Sequence, residues 1–188
     1  MEAHGGLMKT SQLYELSMDY RKIQQFVDEG ILERVKSGYY GMGFSGKSEE
    51  TMVSELFSDG VLCLESGLFY QGYLDARPAC WHIAVDKNTS KSRFKINYPP
   101  VQPYYAEPEV LKMGIQELKL GDGNIFIYNK ERLICDCLKF EEKLEREVMQ
   151  QALRRYIDEP QKDIQKLMEY ARARKVTQKV QNRIGVWL

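Results

Sequence analysis

An α+β fold in two domains is predicted by three observations. The first 44 residues read as helix, turn, helix and hairpin, a Gly/Ser/Glu-rich stretch follows, and the remainder alternates short β-patterned runs with helical stripes. The chain has 188 residues, 43% of them hydrophobic and 29% charged, which suits a globular protein that buries roughly 70% of its unfolded surface. We divide it into an N-terminal domain of helix, turn, helix and hairpin at 1–44, a linker at 45–50 and an α+β domain at 51–188, a small mixed sheet with several helices.

Residues 10–16 are expected to form a short helix with Thr10 near its cap. Asp19 offers an N-cap for a second helix whose Ile23, Phe26 and Val27 share one face, and Gly30 ends it. Residues 31–36 and 39–42 read as strands joined through Ser37-Gly38. In the second domain, 50–57 and 61–71 read as helices and 81–85 and 94–98 as strands. Gly121-Asp122-Gly123 marks a hairpin between 115–120 and 124–128. Three C-terminal helices complete the expectation: one capped by Asn129, one stopped by Pro160, and one whose stripe runs from Ile164 through Val176 and Val180 to Ile184.

Twenty-seven Lys plus Arg balance twenty-seven Asp plus Glu, so no global field draws the chain to nucleic acid or to an anionic membrane. No apolar run reaches the ~20 residues of a membrane span. The N-terminus lacks the basic start and apolar core of a signal peptide, and a cytoplasmic protein is expected. Cys63, Cys80, Cys135 and Cys137 contain no C-x-x-C and are joined by only two histidines, His4 and His82, which predicts reduced, buried thiols and no metal or other cofactor.

Gly41-Met42-Gly43-Phe44-Ser45-Gly46-Lys47-Ser48 satisfies the phosphate-loop pattern, and 83–86 could serve as the strand bearing an Mg²⁺-associated Asp. A small nucleotide kinase is therefore one alternative. Against it, a hairpin tip rather than a buried apolar strand precedes the motif, and Glu49 and Glu50 would compete with a phosphate for the helix amides. No triad or nucleophile elbow is present. His82 falls in an expected strand as a satisfied, half-buried residue, and the pairs Glu141-Glu142 and Asp158-Glu159 read as solvated helix ends.

Helix, turn, helix and hairpin is the outline of a winged helix-turn-helix, whose second helix enters the major groove while the wing rests on phosphates. With the apolar face turned inward, Arg21, Lys22, Gln24 and Gln25 are the candidates for groove contact, and Arg34, Lys36 and Ser37 for wing phosphates. Residues 1–45 carry Lys9, Arg21, Lys22, Arg34 and Lys36 against Glu2, Glu15, Asp19, Asp28, Glu29 and Glu33, so tight binding would need a homodimer or repeated sites. Between 166 and 188, Lys166, Arg172, Arg174, Lys175, Lys179 and Arg183 face only Glu169, and Arg172, Arg174, Lys175 and Lys179 form a candidate partner patch. A protein-interaction module without DNA binding is the remaining alternative.

The run Gly5-Gly6-Leu7-Met8-Lys9-Thr10-Ser11-Gln12-Leu13, the stretch 24–30, and Leu32-Glu33-Arg34-Val35-Lys36-Ser37-Gly38-Tyr39-Tyr40 resemble the winged helix of AbiEi-type antitoxins, transcriptional regulators of bacterial abortive-infection systems. The stretches 62–74, 81–85 and 131–137 are similar to that family's second domain. The resemblance implies a non-enzymatic antitoxin that binds and represses its own operon's promoter DNA and opposes a co-encoded nucleotidyltransferase-like toxin, without assured contact between the two. Two departures stand out. Only Met1 to His4 precede the Gly-Gly turn where relatives carry a full first helix, and Tyr70 stands where many have histidine.

Overall fold

A computed structural model describes residues 7–36, 38–41, 48–96 and 98–187. Among the described residues the fold is α+β with two sheets. The N-terminal part runs β1 (Leu7–Lys9), α1 (Thr10–Glu15), α2 (Tyr20–Asp28), β2 (Glu33–Lys36) and β3 (Tyr39–Gly41), with the antiparallel order β1-β3-β2. Strand β1 was not anticipated, because a three-residue strand is too short to display a period of two. Met8, Leu13, Ile23, Leu32 and Tyr40 form its core, closed at the side by Met18, Phe26 and Val27. The hairpin tip is tied to the start of α1, where the Thr10 amide donates to the Gly38 carbonyl at 2.9 Å.

The second sheet comprises β4 (Val61–Leu62), β5 (Trp81–Asp86), β6 (Val101–Ala106), β7 (Ile115–Leu120) and β8 (Gly123–Tyr128), in the order β6-β5-β4-β8-β7. Pairing is mixed, with β4 antiparallel to β5 and parallel to β8. Alternation along the strands splits the core into two layers. Leu62, Ile83, Val85, Ile125 and Ile127 face α3 (Glu49–Leu56), whose Val53 and Leu56 join them. Val61, Ala84 and Tyr128 face α4 (Leu64–Tyr70) and α6 (Lys130–Lys139). Val35 and Tyr39 of the N-terminal hairpin pack against the α3 layer, so the two parts share an apolar contact.

Three expectations are corrected, and two further elements were unforeseen. The apolar run at 61–71 is not one helix: Val61 and Leu62 are the central strand, and the helix starts only at Leu64. A fully buried strand looks like a buried helix to periodicity. No described residue of the strand expected at 94–98 is in a strand, and Asn97 lies outside the described residues; a 3-10 turn covers Lys91–Phe94, and Phe94 stacks on Phe57 at 5.4 Å. The true strand is β6, disguised by Pro103, which a sheet tolerates at an edge such as this one. A short helix α5 (Pro108–Leu111) was also unforeseen. Finally, α7 (Arg146–Ile157) is followed not by one helix but by α8 (Ile164–Arg174) and α9 (Thr177–Ile184). Lys175 adopts φ 59°, and the Val176 amide returns to the Ala171 carbonyl at 2.8 Å.

Helix α6 is buried from Glu131 to Leu138 because α4, α7, α8 and α9 surround it. Close approach to α4 needs Gly67, where a Cβ would stand 2.4 Å from Leu133 Cδ2. In the β7–β8 turn Gly121 adopts φ +61°, the hand that a tight hairpin needs at its first central position. It lies directly beneath α3, where an added Cβ would meet the Thr51 amide nitrogen at 2.6 Å.

Candidate nucleic-acid interface

Asp19 caps α2 by accepting from the Lys22 amide at 2.8 Å. This fixes the helix phase. Ile23 is turned into the N-terminal core with Phe26 and Val27 half-buried beside it, while Arg21, Lys22, Gln24 and Gln25 are exposed. The tight turn before the helix passes through Ser17 at φ 59°. Tyr20, 61% exposed at the first helical position, shares this surface with Asp28 and Glu29.

The two glutamines are engaged. Gln24 Nε2 donates to Asp28 Oδ1 at 3.2 Å, and Gln25 Nε2 to Glu29 Oε1 at 2.7 Å. Each contact spans one turn of the helix, so a base edge would have to replace the carboxylate. Arg34 on β2 is exposed, and the β2–β3 register shifts between Arg34 and Lys36. The backbone of Lys36 lies in β2; Ser37 falls outside the described residues. Lys9, which sequence reasoning did not select, holds its Nζ 5.8 Å from the centre of the Tyr39 ring. Tyr20 was also missed; its signal is an aromatic residue between a capping Asp and the first basic residue of a helix.

The C-terminal cations do not form one patch. Arg172 and Lys175 are exposed, but Arg174 points inward, 8% exposed, with its Nε 2.5 Å from Asp136 Oδ1. Lys179 Nζ lies 2.7 Å from Glu141 and 3.0 Å from the Leu138 carbonyl, and Arg183 also reaches Glu141. Lys166 pairs with Asp163 at 3.3 Å. Sequence counting saw only Glu169 because Asp136, Glu141 and Asp163 come from earlier in the chain. Glu141 and Glu159 are therefore ion-pair members rather than merely solvated ends, the latter bonded to Lys130 at 2.5 Å. Their partners hold both carboxyls below the usual range.

His82 corrects a further expectation. It is 9% exposed, not half-buried, and its Nδ1 has no hydrogen-bond partner among the described residues. Burial pushes its pKa down to about 4. Around it, burial raises the Cys80 thiol and lifts the Tyr104 phenol to about 12. The His82 ring faces Tyr104 with centroids 5.6 Å apart, and a neutral imidazole beside a protonated phenol provides no activated nucleophile there. Cys63, Cys135 and Cys137 are buried and Cys80 half-buried, all as free thiols. Among the described residues no group of three His, Cys, Asp or Glu is arranged to hold a metal ion.

Of the phosphate-loop motif, Met42 to Lys47 lie outside the described residues. Gly41 ends β3, an antiparallel strand between β1 and β2, whereas a phosphate loop is fed by a buried parallel strand. Ser48 is the N-cap of α3, accepting from the Thr51 amide at 3.3 Å, and Glu49 and Glu50 form the first turn of that helix rather than the end of a linker. No helix among the described residues is long and apolar enough to cross a membrane. No family model matches the chain, and no curated protein matches it.

Proposed function

We propose that the protein is an AbiEi-type antitoxin and transcriptional autoregulator that binds the promoter DNA of its own operon and opposes a co-encoded nucleotidyltransferase-like toxin without catalysis of its own. The observation that carries the reading is the division of α2 into a buried Ile23 side and an exposed face of Arg21, Lys22, Gln24 and Gln25. The order β1–α1–α2–β2–β3, with β1 added to the hairpin at β3, supports a winged helix-turn-helix in which α2 is the groove helix and β2–β3 the wing. Few basic residues per chain favour binding as a homodimer.

The test is a gel-shift on DNA upstream of the gene at low salt, repeated with Arg21→Ala and Lys22→Ala. Sequence-selective retardation weakened by both substitutions supports the reading; no retardation of that DNA removes it. For the antitoxin half, co-expression with the neighbouring gene product should restore growth. The exposed Arg172 and Lys175, rather than Arg174, are the patch residues whose replacement should impair it.

A second reading has its own observation. Tyr14, Leu16 and Tyr20 are each more than half exposed around the α1–α2 turn, which suits a protein-contact module. It predicts loss of partner capture with Tyr20→Ser and no DNA affinity.

A further inference from the structure

Arg77, in the loop between α4 and β5, sits in a box that none of the preceding functions uses. Its guanidinium lies 4.7 Å from the Trp81 ring centre, beneath which Tyr70 stacks at 5.8 Å and an interplanar angle of 19°. Two carboxylates close the box: Arg77 bonds Glu49 and reaches Glu50 Oε1 at 3.0 Å. Both are oriented from behind, Glu49 by Trp81 Nε1 at 3.0 Å and Glu50 by the Tyr70 hydroxyl at 3.3 Å. Tyr98, half exposed, stands close enough for Glu49 to raise its phenol above the ordinary range.

This is the chemistry that selects a guanidinium. A flat cation lies over an indole face while its edge nitrogens reach carboxylates in plane. Two carboxylates face one arginine, so the box stays net negative with Arg77 in place. Arg77 is about one-third exposed, and the loop is held without it. Arg155 donates to the Gly72 carbonyl at 2.8 Å and pairs with Asp75, Gln151 Nε2 also bonds Asp75, and Tyr73 and Leu74 are buried. The guanidinium can therefore leave without unfolding its loop.

We propose that the Glu49–Glu50–Tyr70–Trp81 box is an arginine-recognition site, occupied here by Arg77 as an internal placeholder and taken over by an arginine side chain of a partner protein. Arg77 competes from within the chain at an effective concentration of about millimolar or more, so a single free arginine cannot displace it well. Its removal exposes the site.

The test follows Trp81 fluorescence in a Trp187→Phe background, with N-acetyl-arginine amide as probe and N-acetyl-lysine amide as control. Arg77→Ala should give saturable binding at low salt, at least tenfold tighter than in the Arg77-containing protein and several-fold selective for arginine over lysine. Adding Glu49→Gln should weaken it about tenfold. Absent binding in a folded Arg77→Ala, equal response with and without Arg77, or indifference to Glu49→Gln overturns the proposal. If Arg77→Ala and the milder Arg77→Gln both lose their near-ultraviolet circular dichroism, arginine amide should restore it and lysine amide should not; failure to restore it also overturns the proposal.

Discussion

Arg132 precedes Asp136 by one turn of α6, and its Nε lies 3.1 Å from both carboxylate oxygens in a site where neither residue is more than a few per cent exposed. Arg174 reaches the same carboxylate from α8. The Arg132 fork also donates to the Val110 and Met113 carbonyls at 2.6 and 2.9 Å, and its guanidinium lies 4.1 Å from the Tyr128 ring centre. One carboxylate thus serves two buried guanidinium groups and joins α6 to α8, while Arg132 ties the same cluster to α5 and the loop after it.

Removing that carboxylate should cost more than removing either cation. Asp136→Asn leaves two buried cations without a counter-charge and is expected to destabilise by ~3–5 kcal/mol. Arg174→Met leaves a balanced Arg132–Asp136 pair and keeps the apolar stem, so its loss should be clearly smaller. Urea unfolding of the two variants checks the order.

Stability should fall with acid through His82. Its folded pKa of about 4 lies below the ordinary 6.5, so the neutral ring is favoured in the native state. Above the unfolded value its contribution is constant; as pH drops from 6.5 towards 4 the unfolded chain takes up the proton first and stability is lost. The shift corresponds to about 3 kcal/mol. His82→Leu should remove this part of the acid slope, read from chemical denaturation at pH 7, 5.5 and 4.5.

The β7–β8 turn should not accept a side chain at its first position. Gly121→Ala combines a positive φ with a Cβ placed 2.6 Å from the Thr51 amide nitrogen and 2.9 Å from its Cα. The backbone of α3 must move, and a loss of ~2 kcal/mol or more is expected. Thermal melting against Gly72→Ala, where φ is also positive but nothing lies within 4 Å, separates the clash from the backbone cost.

Under the proposed reading, the glutamines of α2 should report sequence and Arg34 of the β2–β3 hairpin should not. Gln24→Ala or Gln25→Ala is expected to change discrimination at one or two base positions by ~1–3 kcal/mol, whereas Arg34→Ala weakens all sequences alike. If α2 is the groove helix, Asp28→Asn and Glu29→Gln should tighten binding, because each would remove a negative charge from the face turned to the phosphates. Competition with point-mutated operators distinguishes these outcomes.

Local signals carried much of this architecture into the sequence. Asp19 and Asn129 cap their helices by accepting amides three residues on, and Gly121-Asp122 turns its hairpin. What was hidden depends on residues far apart in the chain. Val61 and Leu62 become a strand only because β5 and β8 flank them. Arg174 reads as part of a basic run until Asp136, from another helix, draws it inward. The face of α2 was legible because a single apolar stripe fixes it, but the Gln24–Asp28 and Gln25–Glu29 pairs needed rotamers to be seen. The Arg77 box was illegible for the same reason, since its members come from α3, α4, a loop and β5.

The most direct measurement is fluorescence anisotropy of the promoter DNA across a salt series, with the intact protein and with Arg21→Ala plus Lys22→Ala. DNA contact through α2 predicts selective binding at low salt, and a log–log salt slope shallower by about one per lost phosphate contact in the variant. Absence of binding at 50 mM salt, or identical affinity and slope for the two proteins, would contradict it.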